Sequence, residues 1–270
     1  MFKVYKLFNL LNLDVVFGAI ISSMAFAVFL GVNVEASVYV LLGSTVWIIY
    51  TFDRLMDTKG DEQVLQSDRH SFHKKYFQRL GWLIVICTLV SIALLFIIDS
   101  KTLLWGVVLS GGVFGYLCTI HLIKIKWLLH KELVVAIIYT AGVIIGPLSI
   151  FEGSFSSSFF LCVAVFFLVA LKNLLIFSLY DMSFDKKAGL SSVVTILGTQ
   201  PIKIVIAMIS ILISCISILG YIYFGDPLLL ILLFMTIPLF IIFKFSETRF
   251  CQMNFRYIGD AVFLMPVILL

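Results

Sequence analysis

Two pairs of aspartates lie at the ends of very apolar segments, and each pair has a spacing of four residues. Asp53 and Asp57 close one segment, and Asp181 and Asp185 close another. On a helix, residues four apart lie on one face, so each pair would point its carboxylates in one direction. Carboxylates gathered there repel one another and the negative ends of the helix dipoles unless cations lie between them. The pattern predicts a Mg²⁺ site that could hold a diphosphate beside a lipid-facing cavity.

The composition indicates what surrounds those pairs. Of the 270 residues, 62% are hydrophobic and 13% are charged, and the mean hydropathy is +1.15. Soluble proteins contain roughly a quarter charged residues, so this chain lies far from that class. Apolar stretches of roughly 20 residues, enough for a helix to cross a bilayer, recur along the sequence. We therefore predict an all-α, polytopic membrane protein with membrane lipid as its surroundings and no nucleic-acid partner.

We predict a single domain, residues 1–270, in which about nine transmembrane helices surround a central cavity. Residues 257–270 are few for a full crossing, so we expect the ninth helix to be tilted partway into the bilayer or incomplete. The predicted spans are 14–34, 36–56, 79–99, 102–123, 130–150, 157–180, 202–224, 227–245 and 258–270.

The acidic pairs also indicate a weak internal repeat. Each pair follows an even-numbered span, the second or the sixth, and a basic turn with a glycine follows each pair. Two four-helix units plus a ninth helix would bring the pairs to opposite walls of one cavity. We expect the two pairs to face each other with their carboxylates within reach of shared cations.

The basic residues predict the orientation in the membrane. They concentrate in the connections on the side of the acidic pairs, and Arg249 and Arg256 belong to this group. On the opposite side, the connections near Glu35, Asp99, Glu152 and Asp226 contain only one basic residue, Lys101. By the positive-inside rule, the N-terminus and both acidic pairs face the cytoplasm and the C-terminus lies on the other side.

Several further side chains could contact a substrate near the acids. Basic residues on that side could neutralise phosphate, although they could also serve only to set orientation. Polar residues inside the sixth span, including Lys172, are typical of a cavity wall. Tyrosines near the acids could orient a phosphate or an acceptor, and interfacial anchoring is their simpler role. The candidates are Arg69, Tyr116, Lys124, Lys126, Asn173, Ser178, Tyr180, Lys186 and Lys187.

The sequence around the second pair resembles the UbiA superfamily of intramembrane prenyltransferases. Residues 180–198 are similar to the family's second Asp-rich motif with its downstream Gly and Leu-Gly. Residues 50–57 resemble the second half of the first motif, N-D-x-x-D-x-x-x-D, with both acids in register. The leading Asn and Asp of that motif fall on Ile49 and Tyr50, so two polar ligands are missing there.

The resemblance implies a helical bundle with a cavity that opens sideways to lipid. It also implies a Mg²⁺-dependent prenyltransferase that moves an isoprenoid chain from a polyprenyl diphosphate to a lipophilic acceptor, with an aromatic or quinone-precursor acceptor as the expected class. Asp53, Asp57, Asp181 and Asp185 would be the catalytic residues that hold the metal ions, and nearby cations would neutralise the departing charge.

Two other functions remain open. A UbiA-type membrane terpene cyclase would keep the same ionisation step and close the isoprenoid chain on itself. A non-catalytic lipid-binding or carrier protein would have lost the chemistry together with part of the first motif. The presence of all four aspartates argues against that third function, because unneeded acids at the membrane edge of helix C-termini are unfavourable.

Overall fold

The structure, a computed structural model, describes the backbone of residues 2–57, 68–121, 131–188 and 192–270. It describes the side chains of residues 5–56, 71–115, 131–186 and 192–270. Over these ranges the chain forms twelve α-helices and a final 3₁₀ helix. The helices are α1 Phe2–Leu10, α2 Leu13–Leu30, α3 Ala36–Asp57, α4 Asp68–Lys75, α5 Phe77–Leu95, α6 Ser100–His121, α7 Lys131–Ile150, α8 Ser157–Ala188, α9 Val193–Leu197, α10 Thr199–Phe224, α11 Pro227–Lys244 and α12 Arg249–Ala261, and the 3₁₀ helix is Val262–Leu269.

The predicted all-α membrane class is confirmed. Within the described ranges, seven helices are long and apolar enough to cross a membrane: α2, α3, α5, α7, α8, α10 and α11. The fourth predicted span falls on α6, and the ninth falls on α12 and the 3₁₀ helix. The short helices α1, α4 and α9 were not predicted, because a hydropathy window of membrane-spanning length does not detect them.

Local chemistry explains where two helices end. Helix α2, the first predicted span, ends at Leu30 rather than at the predicted residue 34. Gly31 has a φ of 64°, and its N–H donates to the carbonyls of Ala27 and Val28. In contrast, α8 continues past the predicted residue 180 to Ala188. Its sequence contains no glycine or proline that would stop it. Both aspartates of the second pair therefore lie inside a continuous helix.

The ninth predicted span is divided into two kinds of helix. The first part, α12, begins where the Thr248 side chain accepts a hydrogen bond from the Cys251 N–H at 3.3 Å. The second part contains Pro266, which has no N–H to donate to a helical ladder. Because a 3₁₀ helix rises roughly 2.0 Å per residue, its eight residues extend about 16 Å. The few residues of this span therefore reach farther than an α-helix of the same length.

The interior of the bundle is formed mainly by α2, α7, α8, α11 and the 3₁₀ helix. On one side α2 packs against α3, α7 and the 3₁₀ helix, while α8 packs against α7, α10 and α11. The Phe166 ring of α8 meets Phe26 edge-on at 5.5 Å and stacks on Tyr139 at 6.0 Å. Both acid-bearing helices, α3 and α8, contact α7. Helix α7 therefore connects the two acid-bearing helices.

Candidate functional site

The second acidic pair lies near the C-terminal end of α8. Asp181 and Asp185 are one helical turn apart and both are partly exposed. Ser192, which also caps α9, donates a hydrogen bond to Asp185. Asp181, Lys131 and Glu132 lie within electrostatic range of the Asp185 carboxylate. The pair thus has the common face that its spacing predicts, with polar groups from the starts of α7 and α9 around it.

Arg256 is a functional candidate that the sequence analysis missed. This residue of α12 forms an ion pair with the Asp181 carboxylate. Both side chains are about one quarter exposed, at 27% for Arg256 and 28% for Asp181. Its position among other basic residues indicated only a role in membrane orientation, and no spacing in the sequence connects it to α8.

Aromatic rings surround the Arg256 guanidinium. Its central carbon lies 5.4 Å from the ring centroid of Phe177 and 5.2 Å from that of Phe255. The Phe255 ring stacks on Tyr180 at 4.2 Å with an angle of 3° between the planes. The Tyr180 hydroxyl donates to the Ile242 carbonyl of α11 at 2.6 Å. We call Phe177 and Phe255 the aromatic cradle of Arg256, and Tyr180 supports this cradle through its hydrogen bond to α11. The predicted contact of Tyr180 with a substrate stays a prediction.

Close packing of α12 on α8 fixes the position of Arg256. A Cβ atom at Gly259 would lie 2.5 Å from both the Asn173 Oδ1 and a ring carbon of Phe177, so only glycine fits there. Arg256 is one turn earlier on the same helix. The distance between the two helices therefore depends on the absence of a side chain at Gly259.

The predicted polar face of α8 divides between two sides of the helix. Asn173 and Ser178 are buried, and among the described residues the Asn173 Oδ1 and the Ser178 Oγ have no hydrogen-bond partner. Lys172 is also buried, as expected of a charged residue inside this span, but it lies on another side of the helix. Its ammonium donates to the Thr236 carbonyl at 3.5 Å and lines a groove of about 540 Å³ against α10 and α11. Lys172 and Asn173 lie on different sides of α8 because successive helical residues are rotated by roughly 100°.

The first acidic pair lies at the end of α3. Asp53 is partly exposed, and α3 ends at Asp57, whose side chain is outside the described set. Among the described side chains, no three histidines, cysteines, aspartates or glutamates come together as a metal-binding group. The expected approach of the two pairs to shared cations therefore stays a prediction.

The remaining predicted residues are described only in part. The Lys186 side chain is exposed at the end of α8. The backbones of Arg69 in α4, Tyr116 in α6 and Lys187 in α8 are described, but their side chains are not. Lys124 and Lys126 lie outside the described residues. Their contacts with a substrate stay predictions.

The donors at the end of α8 fit a magnesium ion that a substrate also binds. Mg²⁺ is usually held by one or two carboxylates together with phosphate oxygens, and it does not need a complete cage of protein ligands. Asp181 and Asp185 supply two such carboxylates on one face. The ion pair with Arg256 shows that Asp181 accepts a cationic partner in this fold. The buried, unpartnered oxygens of Asn173 and Ser178 extend the polar face into the bundle.

Comparison with known families identifies a match over most of the chain. The model of the UbiA prenyltransferase family matches residues 68–254. The matched range includes Asp181, Asp185 and Arg249, and it begins after Asp53 and Asp57. No curated protein sequence matches the chain.

Solved structures share the fold along almost the whole chain. A UbiA homolog from Aeropyrum pernix K1 aligns with a TM-score of 0.66 at 14% identity, covering 94% of this chain and 96% of that one. A UbiA homolog from Archaeoglobus fulgidus bound to GPP and Mg²⁺ aligns with a TM-score of 0.65 at 16% identity, covering 97% and 98%. A structure of digeranylgeranylglyceryl phosphate synthase aligns with a TM-score of 0.55 at 17% identity, covering 98% and 95%. At these identities the similarity concerns the fold.

Proposed function

Because the chain belongs to the UbiA prenyltransferase family, we propose that it transfers an isoprenoid chain from a prenyl diphosphate to a lipophilic acceptor, using Mg²⁺. The observation that carries this proposal is the ion pair between Arg256 and Asp181, one helical turn from Asp185. Carboxylates suit the metal ions, and a guanidinium suits the diphosphate oxygens. We assign Asp53 and Asp57, at the end of α3, to the same task.

The ligands of structural neighbours support this assignment. One Archaeoglobus fulgidus UbiA homolog is bound to GPP and Mg²⁺, and another structure of such a homolog is bound to DMAPP and Mg²⁺. Both ligands are prenyl diphosphates, and both structures cover nearly all of this chain. We therefore propose a prenyl diphosphate as the donor substrate here.

The proposed reaction begins with ionisation of the allylic diphosphate. Asp181 and Asp185 would hold Mg²⁺, which when bound would neutralise charge on the diphosphate oxygens and make the diphosphate a better leaving group. The bond between the allylic carbon and the oxygen breaks, and the electron pair leaves with the diphosphate. A nucleophilic atom of the acceptor then bonds to the allylic carbon and loses its proton. In this scheme Asp181 and Asp185 would position the leaving group, and the apolar helices would limit access of water.

The acceptor and the orientation complete the proposal. We propose an aromatic or quinone-precursor acceptor that enters from the lipid, because a mostly apolar bundle favours a lipophilic molecule. The seven apolar helices make this an integral, multi-pass membrane protein. We propose that the N-terminus and the acidic pairs face the cytoplasm, in agreement with the distribution of basic residues.

Diphosphate release by the purified protein tests the function. Geranyl, farnesyl and geranylgeranyl diphosphates would be supplied with and without Mg²⁺, and with a membrane lipid extract as the source of acceptor. We expect Mg²⁺-dependent release that requires the extract and that Asp181→Asn abolishes. Glu152→Gln is the matched control, because this acid forms an exposed ion pair with Lys101 at 3.4 Å, away from Asp181.

Each other outcome of the assay would contradict a different part of the proposal. Sustained release without any acceptor would contradict a transferase and would indicate the cyclase. No release with any donor and extract would contradict both enzymes and would indicate a non-catalytic lipid-binding protein. Equal losses in Asp181→Asn and Glu152→Gln would show that the assigned acids do not form the site.

A further inference from the structure

We propose that Arg256 is an internal counter-ion that occupies Asp181 until a diphosphate arrives and then binds the diphosphate. This inference rests on the proposed function and adds an order of events to it. A free metal ion must compete with Arg256 for Asp181, whereas a metal ion that arrives with a diphosphate does not. The inference therefore predicts that metal and diphosphate bind cooperatively.

The first step of the argument concerns charge. Asp181 and Asp185 are one turn apart at the C-terminal end of α8, where the helix dipole is negative. The guanidinium of Arg256 offsets part of this negative charge. A divalent cation that approaches Asp181 meets both a positive charge and an occupied carboxylate. The ion pair therefore lowers the affinity of the empty protein for metal.

The second step concerns what Arg256 does when displaced. The close contact of α12 with α8 at Gly259 fixes the backbone near Arg256, and its guanidinium carbon lies 5.4 Å and 5.2 Å from the ring centroids of Phe177 and Phe255. These rings favour a cation without fixing its partner, because attraction to a ring face does not require a carboxylate. A guanidinium forms bidentate hydrogen bonds with phosphate oxygens. Arg256 can therefore exchange Asp181 for a diphosphate while it stays in the same cradle.

The third step concerns access. The Arg256 and Asp181 side chains are each about one quarter exposed, so a polar ligand can reach the pair from water. A purely structural ion pair would tie α12 to α8 and would have no effect on metal affinity beyond its effect on folding. When Arg256 is neutralised, the exchange therefore predicts tighter metal binding, whereas a structural tie predicts unchanged metal binding in the folded protein.

Binding of Mn²⁺, which replaces Mg²⁺ as an observable ion, provides the test. Free Mn²⁺ is measured by electron paramagnetic resonance with full-length protein in micelles, with and without geranyl S-thiolodiphosphate, a donor analogue that resists ionisation. For Arg256→Gln we expect tighter Mn²⁺ binding than wild type without the analogue, by about tenfold. We expect weaker binding of the analogue, by about tenfold to a hundredfold, since a charged hydrogen-bonding partner is lost.

Two further variants control the experiment. Arg249→Gln removes the same charge from the exposed first turn of the same helix, and we expect wild-type binding of both ligands. Arg256→Lys keeps the charge but loses the planar fork, so we expect Mn²⁺ affinity near wild type and intermediate analogue affinity. This variant also keeps the test decisive if Arg256→Gln does not fold.

The results that would overturn the counter-ion role differ from the result that would overturn the proposed function. Unchanged or weaker Mn²⁺ binding in folded Arg256→Gln would overturn the counter-ion role, and so would unchanged analogue binding. Arg256→Lys with the Mn²⁺ affinity of a neutral variant would also overturn it. If the wild-type protein binds neither Mn²⁺ nor the analogue, the proposed function itself fails, and the inference fails with it.

Discussion

The two acid-bearing helices differ in how firmly the rest of the protein holds them. In the apolar part of α8, 56% of the residues are buried, whereas in that of α3 only 11% are buried. Helix α8 contacts α7, α10, α11 and α12, while α3 packs mainly on α2 and α5. A site on a helix that is packed on several sides is held more rigidly than one on a peripheral helix. The α8 pair is therefore the preorganised part of the proposed site.

The same asymmetry is present in the sequence. The family model matches residues 68–254, which include the α8 pair but not the α3 pair. Near the α3 pair, Ile49 and Tyr50 occupy positions where the first family motif has polar residues. The comparison teaches that the two halves of the proposed site are not equivalent. We expect the α8 pair to make the main contribution to binding metal and diphosphate, and the α3 pair to make a smaller one.

The strongest test of this asymmetry removes one acid pair at a time. Asp181→Asn/Asp185→Asn should lower Mg²⁺-dependent turnover by about a thousandfold or more, because both anchoring carboxylates lose their charge. Asp53→Asn/Asp57→Asn should lower it by about tenfold to a hundredfold, because fewer polar ligands are present on that side. The measurement is kcat/KM for the preferred prenyl diphosphate. Equal losses in the two variants would contradict the division between the helices.

A second test acts on the packing that holds the α8 side. Gly259→Ala places a methyl group 2.5 Å from the Asn173 Oδ1 and from a Phe177 ring carbon. We expect a loss of about 1–3 kcal/mol in the free energy of unfolding, measured in mixed micelles, because the two helices must separate. Turnover should fall as well, since Arg256 moves with α12.

Gly112→Ala is the matched control for that substitution. A Cβ atom at Gly112 in α6 would meet nothing within 4 Å among the described residues. Alanine there should leave stability unchanged or raise it by about 0.4–1 kcal/mol through lower freedom of the unfolded chain. Similar destabilisation in both variants would show that the α8–α12 contact has no special importance.

A third test weakens the aromatic cradle without changing any charge. Phe255→Leu removes the ring that stacks on Tyr180 and lies 5.2 Å from the Arg256 guanidinium. We expect the affinity for geranyl S-thiolodiphosphate to fall by about threefold to fivefold, the equivalent of about 0.5–1 kcal/mol for one cation–π contact. Phe250→Leu changes an exposed ring of the same helix and should have no effect. Equal effects of the two substitutions on analogue affinity would show that the aromatic cradle does not contribute to diphosphate binding.

The smallest effect is expected on the other side of α8. Lys172→Met changes a buried cation whose ammonium faces Thr236 and the groove against α10 and α11. Turnover should stay within about twofold of wild type, because a substitution there touches none of the proposed ligands. Asn173→Ala, one residue along but beside Gly259, should lower turnover more. A large loss in Lys172→Met would show that the active face of α8 is wider than proposed.

The sequence was sufficient to predict the membrane-spanning helices but not the short helices or all the contacts between helices. Membrane-spanning helices were predictable because each needs a long apolar run, whatever its neighbours are. The extension of α8 to Ala188 was missed because hydropathy ends where Asp181 begins, although the backbone has no reason to stop there. The final 3₁₀ helix was missed because it depends on packing against α2 and α11 around Pro266.

Within the proposed site, an arrangement of residues close in sequence was predictable, whereas a contact between residues distant in sequence was not. The common face of Asp181 and Asp185 follows from helical geometry and was predictable from their spacing. The ion pair with Arg256 depends on how α12 docks, and a basic residue in a short connection has a simpler role in orientation. The one local signal is Gly259 on the same helix, because a glycine inside a helix often marks a close approach. Its partner helix was not identifiable from sequence alone.

The ion pair between Arg256 and Asp181 also constrains how the protein is made. Arg256 follows Asp181 by 75 residues, with α9, α10 and α11 between them. The ribosome therefore delivers α8 to the membrane before the cation that offsets its acidic end has been synthesised. During that interval the charges of Asp181, Asp185 and the adjoining Lys186 keep this end of α8 at the aqueous surface. When α12 docks, the Asp181 carboxylate pairs with Arg256, so a charge that first holds the end of α8 at the surface later becomes part of the proposed site.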